Sequence, residues 1–147
     1  MTLSRYAAGA SFALLLLTFP EFIEAAIAPL SPEEKQERSS HIVTGKVLEI
    51  NSSVGKSKVE KSFGIHRDRK YKITVLVETV EKGTGVTKGD KILVLAWQPS
   101  MRVPPLPGPQ GHEGIPKEGD RLTLFLKKLE KQGAFAPLLP NGIETRE

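Results

Sequence analysis

The chain has 147 residues, no cysteine, and 21 Lys and Arg against 17 Asp and Glu, for a net charge of +4. That length suits one domain with a short extension. The missing thiols exclude a disulfide framework, a thiolate metal site and a cysteine nucleophile, so the fold must rest on its apolar core.

The N-terminus is laid out like an export signal. Arg5 supplies a positive start, Ala7 to Phe19 is apolar with Leu14, Leu15, Leu16 and Leu17 at its centre, and Pro20 breaks the helical tendency. A membrane span needs about 20 apolar residues, whereas this run ends at residue 19 and then meets Glu21 and Glu24. Residues 1–25 are therefore expected to be a signal peptide, the alternative being an uncleaved anchor. A cut after Ala28 is hindered by Pro29, while a cut after Ala25 leaves Ile23 and Ala25 in the recognition positions. Loss of Arg5, Glu21 and Glu24 raises the net charge to +5. The expected location is the periplasm, the cell envelope or the exterior, with membrane contact only through the signal segment before cleavage.

Residues 26–40 read as a lead-in with a short helix. Ser31 is a good N-cap, Pro32 fits the first helical position and Glu34 completes a capping box. Glu33, Glu34 and Glu37 favour the positive end of the helix dipole. The helix is nearly all polar, so it is expected to be solvated and to end near Ser39.

Strands follow. His41 to Ile50 is the first, with Gly45 as a bend or bulge. Tyr71, Ile73, Val75 and Val77 alternate with Lys72, Thr74, Leu76 and Glu78, the period of a second strand. Lys91 to Trp97 is a continuous apolar run, as expected of a strand buried on both faces. Arg121 to Lys128 is a fourth strand and Phe135 to Leu139 a short fifth, after a turn at Gln132-Gly133. Two strands are entered by near copies of one turn, Lys88-Gly89-Asp90 and Glu118-Gly119-Asp120, in which Gly supplies the dihedral and Asp bonds the backbone. Both pairs are read as structural. Asn141-Gly142 marks a turn, and residues 141–147 are expected to be a fraying tail.

Two long connections stand between strands. Ser52 to Arg69 joins the first two, and Gln98 to Lys117 joins the third and fourth through six prolines, which stiffen it. Five strands with this spacing suggest an OB-like β-barrel over residues 41–140, so the expected class is mainly β with one short helix. The pattern His41-Ile42-Val43-Thr44-Gly45-Lys46-Val47, Val80-Glu81-Lys82-Gly83, Gly89-Asp90 and Gly119-Asp120-Arg121-Leu122-Thr123-Leu124-Phe125-Leu126 resembles small exported bacterial proteins of uncharacterised function. It is similar, more distantly, to netrin-like and tissue-inhibitor-of-metalloproteinase-like OB barrels. The resemblance spans residues 41–139 and implies a fold rather than a function. The N-terminal Cys through which those inhibitors act has no counterpart here.

Chemistry-bearing residues are sparse. Lys56, Lys58, Lys61, Arg67, Arg69, Lys70 and Lys72 face only Glu60 and Asp68 across the first connection. In an OB barrel that connection flanks the ligand face, so these cations, with Trp97 at the mouth of the third strand, are the candidate binding residues. Phe63 and Tyr71 are candidates for stacking. The competing reading is a solvated loop kept soluble by charge, with Trp97 simply packing the proline-rich connection.

His41, His66 and His112 are scattered without ligand spacing, and His112 is expected to be an exposed loop residue. No nucleophile elbow or phosphate-binding glycine loop occurs. No catalytic residue, metal ligand or cofactor is therefore assigned. Asn51-Ser52-Ser53 matches the N-glycosylation sequon, which a bacterial source makes a chance match.

The expected function is an exported binding or interaction module, a monomer that holds an anionic polymer or an envelope protein through the basic stretch 56–72. Nucleic acid suits an exported chain poorly. The alternatives are a structural or accessory envelope protein with no small ligand, or a hydrolytic enzyme using His112 and Glu113.

Overall fold

In the computed structural model, residues 27–59, 64–106, 110–130 and 132–146 are described. The expected signal peptide lies outside them, as do Lys61 and Phe63. Among the described residues a single helix, α1 (Pro32–Arg38), precedes six strands: β1 (His41–Lys56), β2 (Ile65–Lys82), β3 (Lys91–Val103), β4 (Arg121–Leu129), β5 (Ala134–Pro137) and β6 (Ile143–Arg146).

Alternating β-branched residues organise the sheet. Ile73, Val75 and Val77 of β2 point inward with Val43 and Val47 of β1, Val94 of β3, Leu122, Leu124 and Leu126 of β4, and Phe135 of β5. Full burial of each aliphatic side chain stabilises the fold by roughly 1.5–3 kcal/mol. β1 pairs antiparallel with β2 and β4, β2 with β3, and β4 with β5, while β3 and β5 run parallel. Five strands thus form a ring in the order β1-β2-β3-β5-β4 and back to β1.

Serving two partners requires β1 to coil. Its register on β2 shifts between Thr44 and Gly45 and again between Val47 and Glu49. A Cβ at Gly45 would sit 2.4 Å from the Leu76 carbonyl oxygen, so only glycine permits the approach. This is the bulge expected there. The twin Gly-Asp turns close the ring in parallel fashion. Asp90 Oδ2 accepts from Thr87 N at 2.7 Å and Asp120 Oδ2 from Lys117 N at 2.8 Å. The first turn then exchanges backbone bonds with Val77, and the second with Val47.

The helix has the expected cap, with Ser31 and Glu34 bonding reciprocally. It is not simply solvated. Lys35 is buried, with its ammonium 5.0 Å from the Phe125 ring centroid and ion-paired to Glu144. The lead-in is further tied down by Asn141, whose side-chain amide bonds both the N–H and the carbonyl of Leu30 at 2.9 and 3.0 Å.

The expected loops and tail need correction. The tail is not frayed, because Ile143–Arg146 pairs with β4 as β6. Neither long connection begins where the sequence suggested. β1 and β2 remain paired out to Lys56 and Arg67, and β3 continues to Val103. β4 reaches only residues 41–46 of β1, and β5 touches β3 at Val94. The rest of β1, β2 and β3 forms a three-stranded arm that runs past the ring. Backbone ladders and buried polar side chains, His66, Asp68 and Arg102 among them, hold it, which is why its sequence lacks apolar alternation.

Candidate functional site

The arm sorts the basic stretch onto two faces, because successive side chains of a strand point to opposite sides. Lys72, Lys70, Asp68 and His66 share one face, and Tyr71, Arg69, Arg67 and Ile65 the other. Across the first face, Lys70 lies opposite Ser53 of β1 and Trp97 of β3, and Lys72 lies opposite Asn51 and Leu95. These residues line a concavity of about 850 Å³. Ser57, Lys58 and Val59 wall it on the hairpin side, Gln110 and Gly111 wall it from the β3–β4 connection, and Gln132 of the β4–β5 turn borders it.

Lys56, Lys58, Lys70 and Lys72 make this concavity cationic. Among the described residues its one lining carboxylate, Asp68, is already neutralised. Arg102 Nη2 meets Asp68 Oδ1 at 2.5 Å, and both side chains are only 10% exposed. The same guanidinium donates to the Arg67 carbonyl at 2.7 Å, the Met101 carbonyl at 2.9 Å and Gln110 Oε1 at 3.0 Å. Burial of two charges is tolerated only with such complete bonding. The pair therefore fixes one end of the concavity, and Asp68 offers the lysines no free charge.

Trp97 is half-buried on this face. Its backbone clasps His112: the His112 N–H donates to the Trp97 carbonyl at 2.8 Å, and the Trp97 N–H donates to His112 Nδ1 at 3.1 Å. The two rings meet edge-to-face with centroids 6.4 Å apart. His112 Nε2 lies 3.1 Å from the Pro137 carbonyl. Those partners fit the neutral imidazole with its proton on Nε2, and burial, ahead of any hydrogen bond, lowers the pKa of His112. His112 is thus a buried strut joining β3 to β5, not the exposed loop residue expected from its flanking glycines. Trp97 consequently both packs the connection and lines the concavity.

The candidate residues separate accordingly. Lys56, Lys58, Lys70, Lys72 and Trp97 line the concavity, whereas Arg67 and Arg69 do not. Lys61 lies outside the described residues. Tyr71 is half-buried against the core, and its hydroxyl donates to Gln98 Oε1 at 3.1 Å, so its ring is a wall rather than a free stacking platform. Leu93, Leu95 and Trp97 are only half-buried, so β3 is covered on one face rather than two.

Sequence reasoning missed the Asp68–Arg102–Gln110 cluster, whose members lie far apart in the chain. The available signal was Asp68 itself, a lone acid at an alternate position among cations. Among the described residues, no three His, Asp or Glu side chains gather as a metal site. His41 is spent locally, between Ser40 Oγ and the Thr84 carbonyl, each 2.9 Å away. No family model matches this chain, and no curated protein or solved structure does either.

Proposed function

We propose that the ring is an OB-like barrel and that the protein is an exported binding module whose ligand is an anionic polymer, most naturally an acidic glycan or envelope polymer. The observation that carries this reading is the convergence of Lys58, Lys70 and Lys72 with Trp97 on one concavity whose only carboxylate among the described residues is internally paired. Two features favour it further. The strand order β1-β2-β3-β5-β4-β1 and the parallel β3–β5 contact agree with a closed five-stranded Greek-key path. The concavity also spans β2 and β3 between the β1–β2 and β4–β5 connections, where OB barrels hold oligonucleotides and oligosaccharides. Cations track the charge of such a polymer, the exposed hydroxyls and amides of Ser53 and Asn51 offer hydrogen bonds, and the indole gives a stacking face.

Trp97 is the only tryptophan, so it reports on its own site. Titration with a sulfated glycan at low salt is expected to shift its emission saturably and to weaken as salt rises. Lys70→Gln with Lys72→Gln should reduce the salt slope by about one for each lysine removed. Unchanged emission at excess polymer, or equal affinity in the double variant, overturns the reading.

A further inference from the structure

A bare polyanion leaves one row of side chains without a use. Where an antiparallel sheet meets water on one face, that face is normally polar. The outer rows of β1 and β2 obey. Asn51 and Ser53 stand opposite Lys72 and Lys70, and Thr74 follows Lys72 on the same face. β3 does not obey. Ile92, Val94 and Ala96 fill its core face, yet its outer face carries Leu93, Leu95 and Trp97, each half-buried. The register sets Leu93 opposite Thr74, Leu95 opposite Lys72 and Trp97 opposite Lys70. Three rows therefore run side by side: amide and hydroxyl on β1, cationic on β2, apolar on β3. Neighbouring rows are only about 4.8 Å apart, so one molecule meets all three. Polarity also changes along the rows. Glu49 closes the β1 row opposite Thr74, its carboxylate accepting from Asn51 Nδ2 at 2.8 Å. An acid there repels an anion from that end and leaves it the end at Lys70 and Trp97.

We infer, resting on the proposed reading of the concavity as an anion site, that its ligand carries an aliphatic chain: an acylated acidic saccharide rather than a bare one. The charged group meets Lys70 and Lys72, and sugar hydroxyls reach Asn51 and Ser53. The chain runs from Trp97 past Leu95 to Leu93, a path of about 13 Å at 3.3 Å per residue. A bare polyanion would leave the leucines wet, and an uncharged lipid would make no use of the lysines. The enclosure suits such a ligand. A volume of about 850 Å³ lies within the range of small-molecule sites, which pair an apolar floor with a few polar groups that orient the ligand. The hairpin at 57–59 and residues 110–111 wall the floor on two sides, so a thin chain enters where a flat protein surface does not.

Trp97 stands at the head of the chain's path and reports on it. The full chain is titrated with butyl, hexyl, octyl and decyl phosphate, each below its micelle concentration, and with inorganic phosphate and decyl glucoside. Affinity read from Trp97 emission is expected to rise about two- to fourfold per methylene, the range for a chain half or fully withdrawn from water. Inorganic phosphate and decyl glucoside should each bind far more weakly than decyl phosphate. Leu93→Ser should spare butyl phosphate, which shows the variant folded, and abolish the gain from octyl to decyl, since only the longer chains reach that residue. Leu93→Met should restore the gain. Lys70→Gln with Lys72→Gln should weaken every alkyl phosphate alike and keep the gain per methylene. Affinity independent of chain length, a gain untouched by Leu93→Ser, or decyl glucoside equal to decyl phosphate overturns the acyl chain. The two readings fail separately. A sulfated glycan that shifts Trp97 beside a flat alkyl series removes the chain and leaves the polyanion. A rising alkyl series beside a silent glycan removes the polymer and supports the anionic amphiphile.

Discussion

Replacing Arg102 by Met removes the centre of the buried cluster at the end of the concavity. The guanidinium makes four hydrogen bonds, to Asp68, Gln110 and two backbone carbonyls. Its loss leaves the Asp68 carboxylate 10% exposed with its ion-pair partner gone. Breaking one side of a buried pair costs about 3–5 kcal/mol, far above the 0–1 kcal/mol of an exposed pair. Asp68→Asn should cost less, because the amide oxygen still accepts from Arg102. Asp68→Leu combined with Arg102→Met removes both charges together and should recover most of the loss, since well-packed apolar replacements of buried pairs are often neutral. Urea denaturation of the parent, Arg102→Met, Asp68→Leu and the double variant closes a double-mutant cycle. Hydrogen exchange localises the damage, which should fall on the arm before the ring, because the main apolar core lies within the ring. Arg102→Met within about 0.5 kcal/mol of the parent, as for an ordinary surface change, refutes the reasoning. So does a double variant whose loss equals the sum of its parts.

His112 is held neutral in the fold with its pKa lowered below the ordinary 6.5, while the unfolded chain takes up a proton there. Stability should therefore be full above about pH 6.5 and fall as pH drops through the window below it, by no more than about 1.4 kcal/mol per pH unit. Thermal melts from pH 7.5 to 5.5 should show a shallower slope for His112→Gln; equal slopes refute the assignment. Gly45→Ala should cost about 1–3 kcal/mol, because its Cβ meets the Leu76 oxygen at 2.4 Å and Val75 Cγ1 at 2.7 Å. Gly55→Ala, with nothing within 4 Å, should be neutral or slightly stabilising in the same denaturant titration. Asp90→Ala and Asp120→Ala should each lose about 1 kcal/mol, and a large inequality would show that the two turns are not equivalent.

The ring was legible in the sequence because its strands carry their burial in side chains. Ile73, Val75 and Val77 alternate, and the two Gly-Asp turns announce strand starts. The arm was not legible, since Arg67, Asp68, Arg69 and Lys70 break the apolar period while the backbone ladder continues. β6 escaped for a similar reason, having one buried residue, Ile143, in four. His112 was misjudged because Gly111 and Gly114 mark a turn but cannot show where that turn is pinned. The basic stretch was recognised as a unit, yet only the strand register could show that it divides.

That division changes what the charge can mean. Read as a loop, the cations at 56–72 are one diffuse positive cluster with one kind of partner. Placed on a strand, alternate residues are separated by the thickness of a sheet and acquire different neighbours. Lys70 and Lys72 stand beside Ser53, Asn51, Leu95 and Trp97, a surface of mixed polarity suited to a flexible polar polymer. Arg67 and Arg69 stand beside Met101 and Val54, a surface whose aliphatic part gains only where water is excluded. Asp68 lies between Arg67 and Arg69 in sequence, and Arg102 binds its carboxylate. Were the strand to slip by one residue, every cation would exchange faces and both surfaces would lose their composition together. The bulge between Arg67 and Asp68, the Asp68–Arg102 pair and the Trp97–His112 clasp all act on that register. The arm's polar interior is therefore better understood as setting alignment than as adding net stability, consistent with the small gain expected of a buried ion pair over an apolar one.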